Sequence, residues 1–197
     1  MNLADELLEK GGLDQVWFIP AQINPHKVGT PPVSFEHRLE MVKIAIRGHP
    51  CFHVKDLEKN ESYPSFTINL LKRLIAAEAN SAQRNEYFLL LGEDNISNFA
   101  KWHKPEEIVQ LVPLLIGSRS GVWSNADGEV VQDVQIVLDA DMSPLVREVL
   151  RKALIQIRLK DISATEIRER LAEHLDCKGL VPDEVLEYIR DHHLYIS

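Results

Sequence analysis

Apolar and polar positions along the chain repeat with two periods, and each period predicts its own kind of element. Leu3, Leu7 and Leu8 fall on one helical face within residues 3–10, and Gly11-Gly12 closes that segment. The nearly all-apolar run QVWFIP at 15–20 predicts a short strand buried on both faces of a parallel sheet. SFEHRLEMVKIAI opens on an N-cap Ser34 and carries apolar residues at helical spacing. CFHVKDLE reads as a second strand with its exit loop, SFTINLLKRLIAAE as a helix, and EYFLLLGED as a strong buried strand. KPEEIVQLV is a short helix running into PLLIGSR, and residues 118–131 are polar and turn-rich, the pattern of a surface excursion. QIVLDA adds a possible strand, and SPLVREVLRKALIQI is helical before it ends in strand-like IQIRL. DISATEIRERLAEH and PDEVLEYIRDHHLY are two further helices, joined by a short loop with Gly179 and Pro182.

Strands alternating with helices predict an α/β fold: a mostly parallel sheet with flanking helices and a C-terminal helical segment. In such sheets the ligand lies at the carboxyl ends of the strands, so the loops that follow strands are where chemistry is expected. The first, PAQINPHK, holds His26 and Lys27, which taken alone read as solvated loop residues. In the second, ESYPSFT, Ser65 and Thr67 suit a helix start. The third, LGEDNISNFAKWH, places Gly92 directly after a strand, where a ligand can approach the backbone. Asp94 there serves either as an acceptor for ribose hydroxyls or as an N-cap, and Trp102 either as core or as a platform for a flat heterocycle. The fourth is DISATEIRERL. Ser163 and Glu166 form a capping box, but Arg168 near the positive end of a helix dipole is in conflict with it unless an anion is bound there.

The 197 residues are long enough for one domain, and their composition is that of an ordinary globular protein. A net charge of −8 argues against a general binder of nucleic acid or of anionic membranes. Cys51 and Cys177 form no CxxC motif and read as structural thiols of a cytoplasmic protein. No apolar run approaches the roughly 20 residues that a membrane span needs. The His, Cys and acidic residues lack the spacing of a preformed metal centre.

The order of these pieces resembles bacterial nicotinate-nucleotide adenylyltransferase, of the nucleotidyltransferase superfamily with its Rossmann-like fold. The resemblance is carried by VWFIPA then NPHK, EHRLEMVKIAI, SFT, LGEDN followed by WH, DISATEIRERL, and LVPDEVLEYIRDHHLY, across residues 3 to 195. Residues 118–157 match poorly. The resemblance implies adenylyl transfer from ATP to nicotinate mononucleotide, giving deamido-NAD and pyrophosphate with Mg2+ assisting. It implies that Thr67, Trp102 and His103 hold the nicotinate group, with Trp102 stacked on the pyridine ring. Gly92 and Asp94 would meet the adenosine ribose, Ser163, Thr165 and Arg168 the ATP phosphates, and Lys27 the phosphates of the substrates. Phe66 stands where the family more often has Tyr, and Glu93 where it usually has a small residue.

The family's His-x-Gly-His phosphate loop is not among these residues, so no catalytic histidine is assigned; Met1 to Ala4 match the start of the helix that follows that loop. The expectation is a single nucleotidyltransferase-like domain over 1–197, truncated at its N-terminus by a strand and loop of roughly 15–20 residues, with 160–197 as a C-terminal helical subdomain. Two alternatives stay open: a truncated, inactive nucleotide-binding relative, and another nucleotidyltransferase of the superfamily, of the pantetheine-phosphate type.

Overall fold

Gly11 and Gly12 end the first helix where the spacing predicts. Helix α1 spans Asn2–Lys10, and Gly11 N donates to Leu7 O at 2.9 Å. The computed structural model describes residues 2–23, 33–59, 64–78, 84–118, 142–158 and 162–195. Its contacts divide the chain into two compact units, one formed by residues 15–64 and 160–197, the other by 2–14 and 65–159.

In the first unit, strand β1 (Val16–Phe18) pairs in parallel with β2 (Phe52–Val54), Val16 opposite Phe52. The expectation of burial on both faces fails here. Val16 is buried, but Trp17 and Phe18 are half-exposed in a two-stranded sheet. Trp17 is instead covered by the Lys55 ammonium, 4.4 Å from its ring centre. Helix α2 (Phe35–Ala45) starts on Ser34, whose Oγ accepts from His37 N at 3.3 Å. Arg38 of α2 is a clamp for the preceding loop. Its guanidinium donates to Ala21 O at 2.7 Å, Val33 O at 3.1 Å and Gln22 O at 3.2 Å. Desolvation draws its pKa below the usual value, which Tyr195 and Glu36 partly oppose.

Helices α7 (Ala164–Ala172) and α8 (Asp183–Asp191) belong to the same unit. Val185 and Ile189 of α8, with Leu194, form an apolar cluster onto which Met41 and Ile44 of α2 and Leu171 of α7 pack. Beside it, His37 Nδ1 and Tyr188 Oη share a hydrogen bond at 2.9 Å, and the His192 ring stacks on Tyr188.

The second unit is a three-stranded parallel sheet in the order β3 (Leu89–Gly92), β4 (Leu114–Ser118), β5 (Leu154–Gln156). Helices α3 (Thr67–Glu78), α5 (Pro105–Leu111) and α6 (Pro144–Lys152) lie in the same unit, as does α1. Leu91 of β3, Ile116 of β4, Ile68 of α3, Ile108 of α5 and Leu150 of α6 meet in one core. Each such buried side chain contributes about 1.5–3 kcal/mol. Leu3 of α1 lies so close to Gly117 of β4 that an added Cβ there would collide with it and with Ile157.

Two expectations need correction in this unit. LGEDNISNFAKWH is not an irregular loop: Glu93–Asn95 is a 3-10 turn that continues into α4 (Ile96–Phe99). Ile96 and Phe99, three residues apart, are both buried, and that burial folds the segment. Ser118 does not begin the surface excursion; it is the last residue of β4 and only 3% exposed. The remainder of that excursion, and the strand read in QIVLDA, lie outside the described residues.

Candidate active site

The carboxyl end of β3 is where the second unit gathers its polar groups. Gly92 pairs with Gly117 of β4, so the residues that follow, Glu93 and Ser118, come out side by side. Ser118 Oγ donates to Glu93 Oε2 at 2.6 Å. Asp94 is exposed, and its carboxylate turns back over the strand end, where an added Cβ on Gly92 would strike Oδ1. Asn95 Nδ2 donates to Asp94 Oδ1 at 3.2 Å and to Gly92 O at 3.3 Å. Asn95, not Asp94, occupies the N-cap position of α4, and its side chain does not cap. Asp94 is therefore not the cap, and its carboxylate is an exposed acceptor beside the buried Gly92.

The Trp102-His103 pair follows α4. Trp102 is half-buried, with its ring 5.1 Å from that of Phe99 and its backbone N–H donating to Phe99 O at 3.1 Å. The exposed His103 lies against Phe66, ring centres 4.5 Å apart. Phe66 directly precedes Thr67, the first residue of α3, so the SFT and WH segments are brought side by side. Lys104 then takes a left-handed conformation, φ 57°, before Pro105 opens α5. That conformation is costly for a residue with a side chain and collects at sites where a loop is held to one shape.

Glu107 secures this turn. Its carboxylate receives Lys104 Nζ at 2.6 Å and Lys72 Nζ of α3 at 2.5 Å. Those hydrogen bonds hold its pKa far below the usual 4.5, at about 2. Sequence patterning gave no sign of the Lys72–Glu107 and Glu93–Ser118 contacts, because tertiary packing sets both pairs.

Ser163, Thr165 and Arg168 belong to the first unit. Ser163 Oγ accepts from Thr165 N at 3.2 Å, so Ser163 caps the helix as expected, but the reciprocal capping box read with Glu166 is not formed among the described residues. Glu166 pairs forward with Arg170 at 3.7 Å. Arg168 is half-buried one turn into α7, and among the described residues no hydrogen bond or ion pair engages it. Its guanidinium and that of Arg38 both act on the Tyr195 phenol, whose pKa burial pushes up and the two cations pull down. A hydroxyl and a guanidinium near a helix N-terminus are components of an anion site.

Lys27 lies outside the described residues. Among the described residues, no group of three or more His, Cys, Asp or Glu is placed to hold a metal ion, and no helix is long and apolar enough to cross a membrane.

Comparison with known proteins gives these groups a context. Residues 1–170 match the cytidylyltransferase-like family. The chain is 32% identical over 99% of its length, and 92% of the relative's, to a probable nicotinate-nucleotide adenylyltransferase of Shewanella frigidimarina. It is 30% identical to the nicotinate-nucleotide adenylyltransferase of Bacillus subtilis over 99% of this chain and 89% of that one. In fold it is similar to the Plasmodium falciparum nicotinic acid mononucleotide adenylyltransferase solved with NaAD. That match has a TM-score of 0.67 at 22% identity and covers 93% of this chain and 83% of the other.

Proposed function

The chain belongs to the cytidylyltransferase-like family and, within it, to the nicotinate-nucleotide adenylyltransferases, and we infer from this that it transfers the adenylyl group of ATP to nicotinate mononucleotide. The products are deamido-NAD and pyrophosphate, in NAD biosynthesis. What carries the reading is identity of about 30% over nearly the whole chain with proteins of that name.

In the reaction a phosphate oxygen of nicotinate mononucleotide attacks the α-phosphorus of ATP. The bond from that phosphorus to the bridging oxygen breaks, and pyrophosphate leaves with the electron pair. The protein's part is positioning and neutralisation of charge. Asp94 accepts from the adenosine ribose, and the lack of a side chain at Gly92 leaves room for that carboxylate. Ser163, Thr165 and Arg168 take up ATP phosphates at the start of α7, and Lys27 lies near the phosphates of the substrates. Thr67, with the backbone at Trp102 and His103, receives the nicotinate carboxylate, and Trp102 stacks its outer face on the pyridine ring. With no cluster of His, Cys, Asp or Glu for a metal among the described residues, a divalent cation such as Mg2+ would be held by the ATP phosphates and would supply positive charge to offset that of the leaving pyrophosphate. A cytoplasmic location belongs to the same proposal.

The test is selectivity in binding. Calorimetric titration is expected to show saturable binding of nicotinate mononucleotide and none of phosphopantetheine at the same concentrations. The reverse preference would remove the assignment within the superfamily.

A further inference from the structure

We infer that the hydrogen bond between Glu93 and Ser118 is a latch that sets the direction in which Asp94 presents its carboxylate to the nucleotide. This rests on the ribose role proposed above for Asp94, and adds two positioning residues to that site.

The parallel register explains why the two side chains meet. Gly92 and Gly117 are partners across β3 and β4, so Glu93 and Ser118 are the next residues along each strand. Ser118 is the fixed half of the pair. It is buried to 3% exposure, it stands opposite Gln156 of β5, and its carbonyl accepts from Ile157 N at 3.1 Å. Glu93 is the arm, since it opens the 3-10 turn. At 2.6 Å, the hydroxyl-to-carboxylate bond is in the short range of charge-assisted contacts.

The turn is therefore held at both ends. Ile96 and Phe99 anchor its far end in the core, and the latch anchors its near end to β4. Asp94 lies between, steadied by Asn95 Nδ2 at 3.2 Å. Without the latch the backbone at Glu93 gains freedom, and the carboxylate one residue on no longer points in one direction. An acceptor placed in one direction discriminates strongly between ligands with and without the matching hydroxyl.

The experiment compares dissociation constants for ATP and for 2′,3′-dideoxy-ATP, which lacks the ribose hydroxyls, with thermal unfolding followed for every variant. The protein is expected to prefer ATP by about tenfold, the size of one hydrogen bond to a charged group. Glu93→Ala and Ser118→Ala are expected to lower that preference to roughly twofold. Glu93→Gln keeps an acceptor and is expected to restore it. Asp94→Ala serves as the reference. If Asp94→Ala abolishes the preference while folded Glu93→Ala and Ser118→Ala keep it, the latch is refuted and the ribose reading survives. If Asp94→Ala itself keeps the preference, the ribose reading fails and takes the latch with it. A loss in Glu93→Gln as large as in Glu93→Ala would overturn the hydrogen bond as the cause.

Discussion

A methyl group at Gly92 would lie on the carboxylate of Asp94. Gly92→Ala is therefore expected to swing Asp94 away from its present direction and to weaken ATP binding about tenfold, as removal of the acceptor would. Unfolding should change little, because the Asp94 side chain is exposed and only its bond from Asn95 is given up. Unchanged ATP affinity in a folded Gly92→Ala protein would contradict the placement of Asp94. Arg38 is the opposite kind of residue, one whose worth is structural. Three carbonyls, Ala21 O, Gln22 O and Val33 O, depend on its guanidinium. Arg38→Ala is expected to cost about 2–4 kcal/mol in urea unfolding, and Arg38→Lys should recover little of it, since an ammonium lacks the planar fork. Full recovery in Arg38→Lys would show that charge, not geometry, is what the loop needs.

Among the elements, α3 and α5 are joined at their surface by Glu107. Its pKa in the folded protein, about 2, lies below the usual 4.5. The pairing thus contributes stability above about pH 4.5, and loses it as the pH falls from there towards 2. Unfolding midpoints of the protein and of Glu107→Gln should differ at neutral pH and converge in acid. The difference should be small, since Lys72, Lys104 and Glu107 are all well solvated. A difference that persists unchanged below pH 2 would mean that Glu107 acts through packing instead. Phe99 of α4 is fully buried beneath Trp102. Phe99→Ala should cost about 3–5 kcal/mol and loosen the Trp102 ring, readable in its fluorescence.

What could be read in the sequence at this scale follows from how local each signal is. The caps Ser34 and Ser163 were legible because a cap is set by the residue and its next few neighbours. Gly92 and Asp94 stand out by position alone, at the end of a strand and just after it. The turn and α4 were not, because a segment so short has too few residues to display a period. The Glu93–Ser118 contact was out of reach altogether: it joins residues 25 apart, through a strand register that parallel pairing leaves unmarked in the sequence. The burial expected on both faces of β1 failed for a related reason, since its composition does not reveal how many strands flank it.

For the whole molecule, family membership carries the reaction, and the proposal assigns it to two sets of groups. One set lies at the carboxyl ends of β3 and β4, the other at the N-terminus of α7. The acidic balance of the chain is no obstacle to this, because helix N–H groups and Arg168 supply positive potential locally. Arg168→Ala should weaken ATP binding about tenfold or more while leaving the Ser163 cap intact, and unchanged affinity would remove α7 from the phosphate site. The most direct measurement is of the reaction itself: the protein, ATP, Mg2+ and nicotinate mononucleotide, with products separated by chromatography over time. Deamido-NAD and pyrophosphate appearing in equal amounts is the predicted result. Adenylylation of phosphopantetheine in its place, or no product from any of these acceptors, would contradict it.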